Sequence, residues 1–267
     1  MKHSNLHTHT TFSDGKNTPR EMAEKAIELS FSSLGFSDHG EFLFDRDFKP
    51  SSGSDRLYRE EILELKKEYE GKMDLYLGIE RDYFTLDDVS SYEYVIGSVH
   101  FISTNGEKTP LDWSGKIQED WIANSGRGDK NELARRYYEL IAEFAIQGGF
   151  DILGHFDLIN KFGLFDDNND LYRKIALEAL DEVLKKDVFI EVNTGAISRG
   201  YRTEPYPDRF FLEYIKDKGG KLVLNGDSHS ADSLDTHFDK SVELLKEIGF
   251  DSLWQLRKNT WQKISIL

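Results

Sequence analysis

Cysteine is absent from this 267-residue sequence. Disulfides, thiolate zinc sites and thiol nucleophiles are therefore excluded. Missing too is any apolar run approaching the roughly 20 residues that span a bilayer. The N-terminus, Met1-Lys2-His3-Ser4-Asn5, lacks the apolar core of a secretory signal, so the cytoplasm is the expected location. Positive charge is in short supply, and the formal net charge is −15. A free-standing nucleic-acid binder is more often basic, because phosphate neutralisation supplies most of its affinity. Neither nucleic acid nor a membrane is expected as a partner. An anionic substrate needs local positive charge, and metal ions can supply it. Hydrophobic residues make up 38% and charged residues 31%, an ordinary globular balance.

What the chain does have is histidine and carboxylate at recurring places. In Leu6-His7-Thr8-His9-Thr10-Thr11-Phe12-Ser13-Asp14, the histidines sit two apart on a short segment. Residues two apart on an extended segment point the same way, so His7 and His9 can face one metal ion. Asp227-Ser228-His229 repeats the spacing near the far end, and Asp38-His39, Glu80, His100 and His155 lie between. Nearly all follow a short apolar run that reads as a strand. That recurrence points to a multi-metal hydrolase.

Taken in order, Ser4 to His9 reads as a first strand. Thr18-Pro19-Arg20-Glu21 is a helix start with a capping box. Ser33 to Ser37 is a second strand, and a loop rich in Phe, Asp and Ser runs on to about Ser54. Asp55 to Glu70 reads as a helix with Gly71 as its stop. Leu75 to Ile79 delivers Glu80, and Tyr94 to Val99 delivers His100. The segment from Phe101 to Gly128 is long for a connection and reads as a lid or rim, with Phe101, Trp113 and Trp121 as candidate pocket walls. Asp129 opens a helix. Asp151 to Gly154 delivers His155, and Asp170 is expected to cap the next helix. Val188 to Asn193 is a sixth strand, followed by a loop carrying Arg199, Tyr201 and Arg202. Asp208 to Lys218 is a helix, Lys221 to Asn225 delivers Asp227 and His229, and Val242, Leu245 and Ile248 mark a last helix. The tail from Ser252 shows no clear pattern.

Strand–helix alternation predicts a parallel sheet. Seven such steps with polar strand ends fit an α/β fold, a distorted (β/α)7 TIM-like barrel with its chemistry at the strand C-termini. A doubly wound open sheet is the runner-up. No domain boundary is visible, so residues 1–267 are expected to form one barrel domain. Glu80 suits a bridge between two metals, one oxygen to each. Asp38 either orients a ligand imidazole or caps a turn. Arg199 is the candidate phosphate contact, since a guanidinium suits bidentate capture; Lys161, Arg202 and Arg127 are weaker candidates. His3 and His237 are read as ordinary side chains.

The set HTHTTFSDG, FSDHGEF, GIE, GSVHF, GHFD and NGDSH resembles the PHP (polymerase and histidinol phosphatase) superfamily. Its flanks are similar to those of the monofunctional histidinol-phosphate phosphatases of histidine biosynthesis. The resemblance runs from Asn5 to about His229. It implies a (β/α)7 barrel and three divalent metal ions (zinc, iron or manganese). By that resemblance, His7, His9, Glu80 and Asp227 hold the first metal. Glu80, His100 and His155 hold the second, and Asp14, His39 and His229 the third. Some relatives have histidine where this chain has Asp14, which makes the third ligand set richer in oxygen. The implied reaction is hydrolysis of L-histidinol phosphate, with a metal-bridging hydroxide attacking phosphorus. Glu80, Asp227 and Arg199 are then the catalytic residues, and Arg199, Phe101 and Lys161 contact substrate. The rivals are a phosphatase for another small phosphoester or nucleotide, an amidohydrolase-type C–N hydrolase, and a non-catalytic metal-dependent module. Amidohydrolases commonly bridge their metals with a carboxylated lysine, where this chain has Glu80.

Overall fold

Parallel strand pairing dominates the computed structural model, which describes residues 2–41, 54–85, 88–166 and 169–267. Most of the loop leading to Ser54 lies outside the described residues. The chain begins with β1 (Ser4–Asn5), α1 (Pro19–Glu28), β2 (Ser33–Phe36), α2 (Ser54–Glu68), β3 (Asp74–Asp82) and β4 (Tyr94–Ser98). A hairpin follows, β5 (Phe101–Thr104) and β6 (Glu107–Pro110), then α3 (Gly115–Asn124) and α4 (Lys130–Gln147). Next come β7 (Ile152–Leu153), α5 (Asp170–Leu184), β8 (Phe189–Asn193), a short α6 (Gly195–Ser198), α7 (Arg209–Asp217) and β9 (Lys221–Asn225). The chain ends with α8 (Phe238–Ile248) and a second hairpin, β10 (Ser252–Arg257) and β11 (Thr260–Ser265).

The main sheet has seven strands in the order β1-β2-β3-β4-β7-β8-β9, and each neighbouring pair is parallel. Its two edges meet. The His9 N–H donates to the Ser228 carbonyl at 2.9 Å, and the Ser228 N–H donates to the His7 carbonyl at 3.0 Å. This closure makes a distorted seven-stranded barrel and excludes the open sheet. The first strand is shorter than expected because side chains take over its ladder. Asn225 Oδ1 accepts the Leu6 N–H at 2.8 Å, and Asn5 Oδ1 accepts the His7 and Gly226 N–H groups at 3.0 and 3.1 Å.

Strand alternation places Tyr76, Gly78 and Glu80 on one face of β3. Tyr94, Ile96 and Ser98 share a face of β4, and Phe189, Glu191 and Asn193 a face of β8. Leu6, Tyr76, Tyr94, Ile96, Ile152, Phe189, Val223 and Leu256 pack into one apolar cluster, separate from the layer between strands and helices. The barrel interior is thus apolar where the strands begin and polar where they end.

The tail that showed no pattern is a plug. Leu256 joins the interior cluster, with Trp254 and Trp261 packed against it; Trp261 lies 4.1 Å from Phe189, ring centre to ring centre. The hairpin also bonds to strand starts: Gln255 and Arg257 donate to the Lys2 carbonyl, and the Asn259 N–H donates to the Tyr76 hydroxyl. Its turn residues, Lys258 and Asn259, have φ of 49° and 58°, as a tight hairpin turn requires. Lys-Asn is not the usual pair for that turn, which hid the hairpin in the sequence.

Helix starts follow side-chain chemistry. Thr18 and Glu21 form the expected capping box. Replacing Thr18 with alanine is expected to cost about 1 kcal/mol, a loss of roughly 2–4 °C in melting temperature for a domain of this size. Asp129 caps α4 as expected. The cap of α5 is Asn169, whose side chain accepts the Tyr172 N–H, and Asp170 sits in the first turn instead. The 101–128 segment is a hairpin and helix. Trp121 faces inward, its indole N–H donating to Thr104 Oγ1 at 2.9 Å, whereas Trp113 is 51% exposed. Among the described residues no helix is long and apolar enough to cross a membrane.

Candidate metal centre

Six of the seven strand ends contribute side chains to one cluster. The segment after β1 brings His7, His9 and Asp14, and β2 is followed by His39. Glu80 lies within β3, while His100 follows β4 and His155 follows β7. Asp227 and His229 follow β9. Asp227 has φ of 44°, a left-handed conformation that ordinary residues avoid and that concentrates at functional sites.

Glu80 is the hub, and its two oxygens face different histidines. Oε1 lies 3.0 Å from His155 Nε2 and 3.3 Å from His100 Nε2. Oε2 lies 2.9 Å from His39 Nδ1, 3.3 Å from His7 Nε2 and 3.5 Å from His9 Nε2. Asp227 Oδ1 adds a contact of 3.3 Å to His9 Nε2. Asp14 faces outward with its side chain 39% exposed; its oxygens lie 3.1 Å from His229 Nε2, 3.7 Å from His9 Nδ1 and 3.8 Å from His39 Nε2. Three groups are tight enough to surround a cation: His7–His9–Glu80, His39–Glu80–His100 and His9–Asp14–His39–His229. His155 meets the centre through Glu80. His9 belongs to both the inner and outer groups, which spacing alone did not show.

Buried polar atoms test whether a metal fits here. His7 Nε2 and both ring nitrogens of His9 are buried with no hydrogen-bond partner among the described residues. Leaving such atoms unsatisfied is costly. A tetrahedral cation with bonds of about 2.0–2.2 Å has ligand–ligand edges of about 3.4 Å. The separations of 3.3 and 3.5 Å from Glu80 Oε2 to His7 Nε2 and His9 Nε2 match that edge. Imidazole and carboxylate together suit zinc, iron or manganese. The residues present fit a metal centre.

Charge is tightly coupled across the cluster. Burial opposes protonation of His7, but the carboxylates of Glu191, Glu80 and Asp227 outweigh it and raise its pKa well above the ordinary value. Burial, with repulsion from His229 and His39, lowers the His9 pKa to about 3. Burial alone would push the Glu80 carboxyl up, yet His7, His39 and His100 hold it well below the usual range. Asp227 is likewise held well down against its burial, by Arg199 and His7.

Arg199 lies at the centre's edge. Its guanidinium contacts Asp227 Oδ2, the Asp227 carbonyl and His229 Nδ1, each at 3.0 Å. Lys161 is buried, and its ammonium donates to the Asp112 carbonyl at 2.7 Å while lying 4.9 Å from the Tyr201 ring centre. Phe101 is buried at the start of β5, next to His100. Arg202 is held by Asp157 and Asp208. Arg127 sits in the connection between α3 and α4 in a left-handed conformation, φ 53°. His3 packs edge-on against Phe31 and Phe238, and His237 precedes α8. Asp38 is a turn cap. Its carboxylate accepts from the Thr10 N–H and hydroxyl at 2.8 Å and from the Ser13 hydroxyl, shaping the loop that carries His9 and Asp14.

Three buried residues were missed from sequence. Ser98 donates its hydroxyl to Glu80 Oε1 at 2.6 Å. Asp82 Oδ2 accepts the His100 N–H at 2.8 Å and lies 3.3 Å from His100 Nδ1. Glu191 lies 2.7 Å from His7 Nδ1. The available signal was an acid inside an apolar strand, Phe-Ile-Glu-Val-Asn, and a second acid two residues after Glu80 on the same strand face.

Relatives of known name match nearly the whole chain. The chain is 29% identical to the "Probable histidinol-phosphatase" of Deinococcus radiodurans, over 92% of this chain and 93% of that protein. It is 27% identical to the histidinol-phosphatase of Bacillus subtilis, over 91% and 99%. The fold is similar to that of a histidinol phosphate phosphatase from Lactococcus lactis, solved with zinc, L-histidinol and phosphate. That likeness has a TM-score of 0.77 and 24% identity, covering 98% of this chain and 99% of that one. The PHP domain family matches residues 5–195. That match takes in every strand end from β1 to β8, and the chain belongs to the PHP domain family.

Proposed function

We propose that this protein is a metal-dependent phosphomonoesterase that hydrolyses L-histidinol phosphate to L-histidinol and phosphate. The observation that carries the reading is Glu80, buried with each oxygen turned to a different set of histidines. The substrate comes from the named relatives, which match this chain over nearly its whole length.

His7, His9, Glu80 and Asp227 would hold one divalent ion, Glu80, His100 and His155 a second, and Asp14, His39 and His229 a third. Bound together, such ions supply a strong nucleophile from water near neutral pH and offset charge on a phosphoryl group. The chain's residues then have distinct tasks. Glu80, with its two oxygens turned to different histidines, would be a shared ligand to two of these ions. Asp227 and His229 hold Arg199 at the centre's edge, where its guanidinium would take a phosphate oxygen. Positioning and charge carry most of the work in phosphoryl transfer. The ligand set also balances an acidic chain. Three divalent ions would outweigh the ligand carboxylates Asp14, Glu80 and Asp227 even with Asp82 and Glu191 beside them, so the pocket would be positive although the net charge is −15. Phe101 and Lys161, on the side of His100 and Asp112, would contact the alcohol part of the substrate.

The test is phosphate release from L-histidinol phosphate beside a panel of other phosphomonoesters, with a chelator control. A chelator-sensitive preference for histidinol phosphate is expected. Equal or greater release from nucleotides would overturn the substrate assignment. No release from any ester by metal-replete protein would overturn the phosphatase reading itself.

A further inference from the structure

Glu191 is fully enclosed on β8, inside the barrel and against the histidine cluster. Its two oxygens meet four nitrogens. Oε2 accepts from the His155 backbone N–H at 2.9 Å and from Asn193 Nδ2 at 2.8 Å. Oε1 accepts from Asn225 Nδ2 at 2.9 Å and lies 2.7 Å from His7 Nδ1.

Hydrogen-bond logic fixes the direction of each bond. A backbone N–H can only donate. An asparagine could reverse its role by flipping its amide, but both are pinned. Asn193 Oδ1 accepts the Gly195 N–H at 2.8 Å, and Asn225 Oδ1 accepts the Leu6 N–H at 2.8 Å. A flip would set an NH2 group against an N–H in each case. Glu191 therefore receives three N–H bonds, which favour its ionised form. An ionised carboxylate only accepts, so His7 Nδ1 must carry a hydrogen. His7 Nε2 then faces away from Glu191, 3.3 Å from Glu80 Oε2 and 3.7 Å from Asp227 Oδ1.

We propose that Glu191 is a positioning residue for the metal centre: it holds His7 as the Nδ1–H tautomer, so that Nε2 presents its lone pair to a divalent cation. Through the His155 amide, the same carboxylate sets the opposite side of the centre. This rests on the metal-dependent reading above. It adds a residue beyond the proposed ligands and gives it a specific task.

The test uses the full chain with zinc alone as probe. In long-range proton–nitrogen spectra of zinc-loaded, 15N-histidine-labelled protein, His7 is identified by its loss in His7→Gln. Its Nδ1 is expected to be protonated and its Nε2 zinc-bound. The reverse tautomer would overturn the proposal, and this arm needs no Glu191 variant to fold. Glu191→Gln offers one oxygen to four donors. Its zinc affinity, by competition with a chromophoric chelator, is expected to fall about 10–100-fold, with activity recovering at excess zinc. Unchanged affinity would overturn the proposal, as would lost activity that excess zinc does not restore. If Glu191→Gln does not fold, Glu191→Asp keeps the charge but withdraws it from His7, and the same loss of affinity is expected. Wild-type protein that binds no zinc would defeat the metal reading; equal binding by wild type and variant defeats only the role of Glu191.

Discussion

Glu80→Ala is expected to remove at least two metal sites and to lower phosphatase activity by about a thousandfold or more. The argument begins with geometry. Glu80 is buried, and its two oxygens face His100 and His155 on one side and His7, His9 and His39 on the other. Each ion held next to it would share that carboxylate, so one substitution would take an anionic ligand from both. A catalytic ion contributes several kcal/mol of charge stabilisation, and each 1.36 kcal/mol is tenfold in rate. Losing two exceeds three powers of ten. Stability should report the same event without any substrate. Zinc at a thousand times its dissociation constant stabilises a one-site protein by about 4 kcal/mol, so the wild type should melt higher as zinc is added. Glu80→Ala should lose most of that rise. Metal content by mass spectrometry and melting curves with and without zinc check both claims. A variant that retains a full metal complement and wild-type activity would end the assignment of Glu80 as the bridge.

Gly78→Ala is expected to destabilise the fold by at least about 3 kcal/mol, although no site residue is touched. Two effects oppose each other. Replacing a strand glycine by alanine usually helps by about 0.5–1 kcal/mol through chain entropy. Here a Cβ on Gly78 would lie 2.2 Å from Tyr94 Cζ, and one on Gly35 would lie 2.2 Å from the Tyr94 hydroxyl. Tyr94 cannot step aside: it is 1% exposed inside the closed barrel, and its hydroxyl donates to the Leu6 carbonyl. Overpacking of this kind costs about 1–3 kcal/mol and more where nothing can give, so the clash wins. The melting temperature should fall by roughly 6–12 °C. Tyr94→Leu alone also destabilises, by leaving space. Combined with Gly78→Ala it should cost less than the sum, with a coupling of about 1–3 kcal/mol. Strict additivity in that cycle would mean the two side chains do not compete for one space.

Local patterning carried much of this protein in the sequence. Strand–helix alternation announced the parallel sheet, and the capping box at Thr18 and Glu21 appears as expected. Histidines two apart, or just past an apolar run, lie at strand ends because strand period and strand polarity are local properties. The candidate ligands from His7 to His229 were legible for that reason. What spacing could not show was which ligands share an ion. His9 reaches both the inner group and the outer group with Asp14 and His229, a fact of three-dimensional convergence.

Tertiary structure decided the rest, for reasons of the same kind. Glu191 looks like an acid misplaced in an apolar strand until β1, β7 and β9 bring three nitrogens to it beside that of Asn193 on its own strand. The unpatterned tail became a plug only because the barrel mouth at the strand starts offers Phe189 an aromatic cover. β1 shortened because Asn5 and Asn225, 220 positions apart in sequence, replace its ladder bonds. Sequence by itself determined the type and order of the main-sheet strands and of the helices that alternate with them, and the chemistry they deliver, since these depend on neighbours along the chain. The partners of each buried polar group, and hence the shape of the centre, depend on barrel closure, which no local stretch encodes.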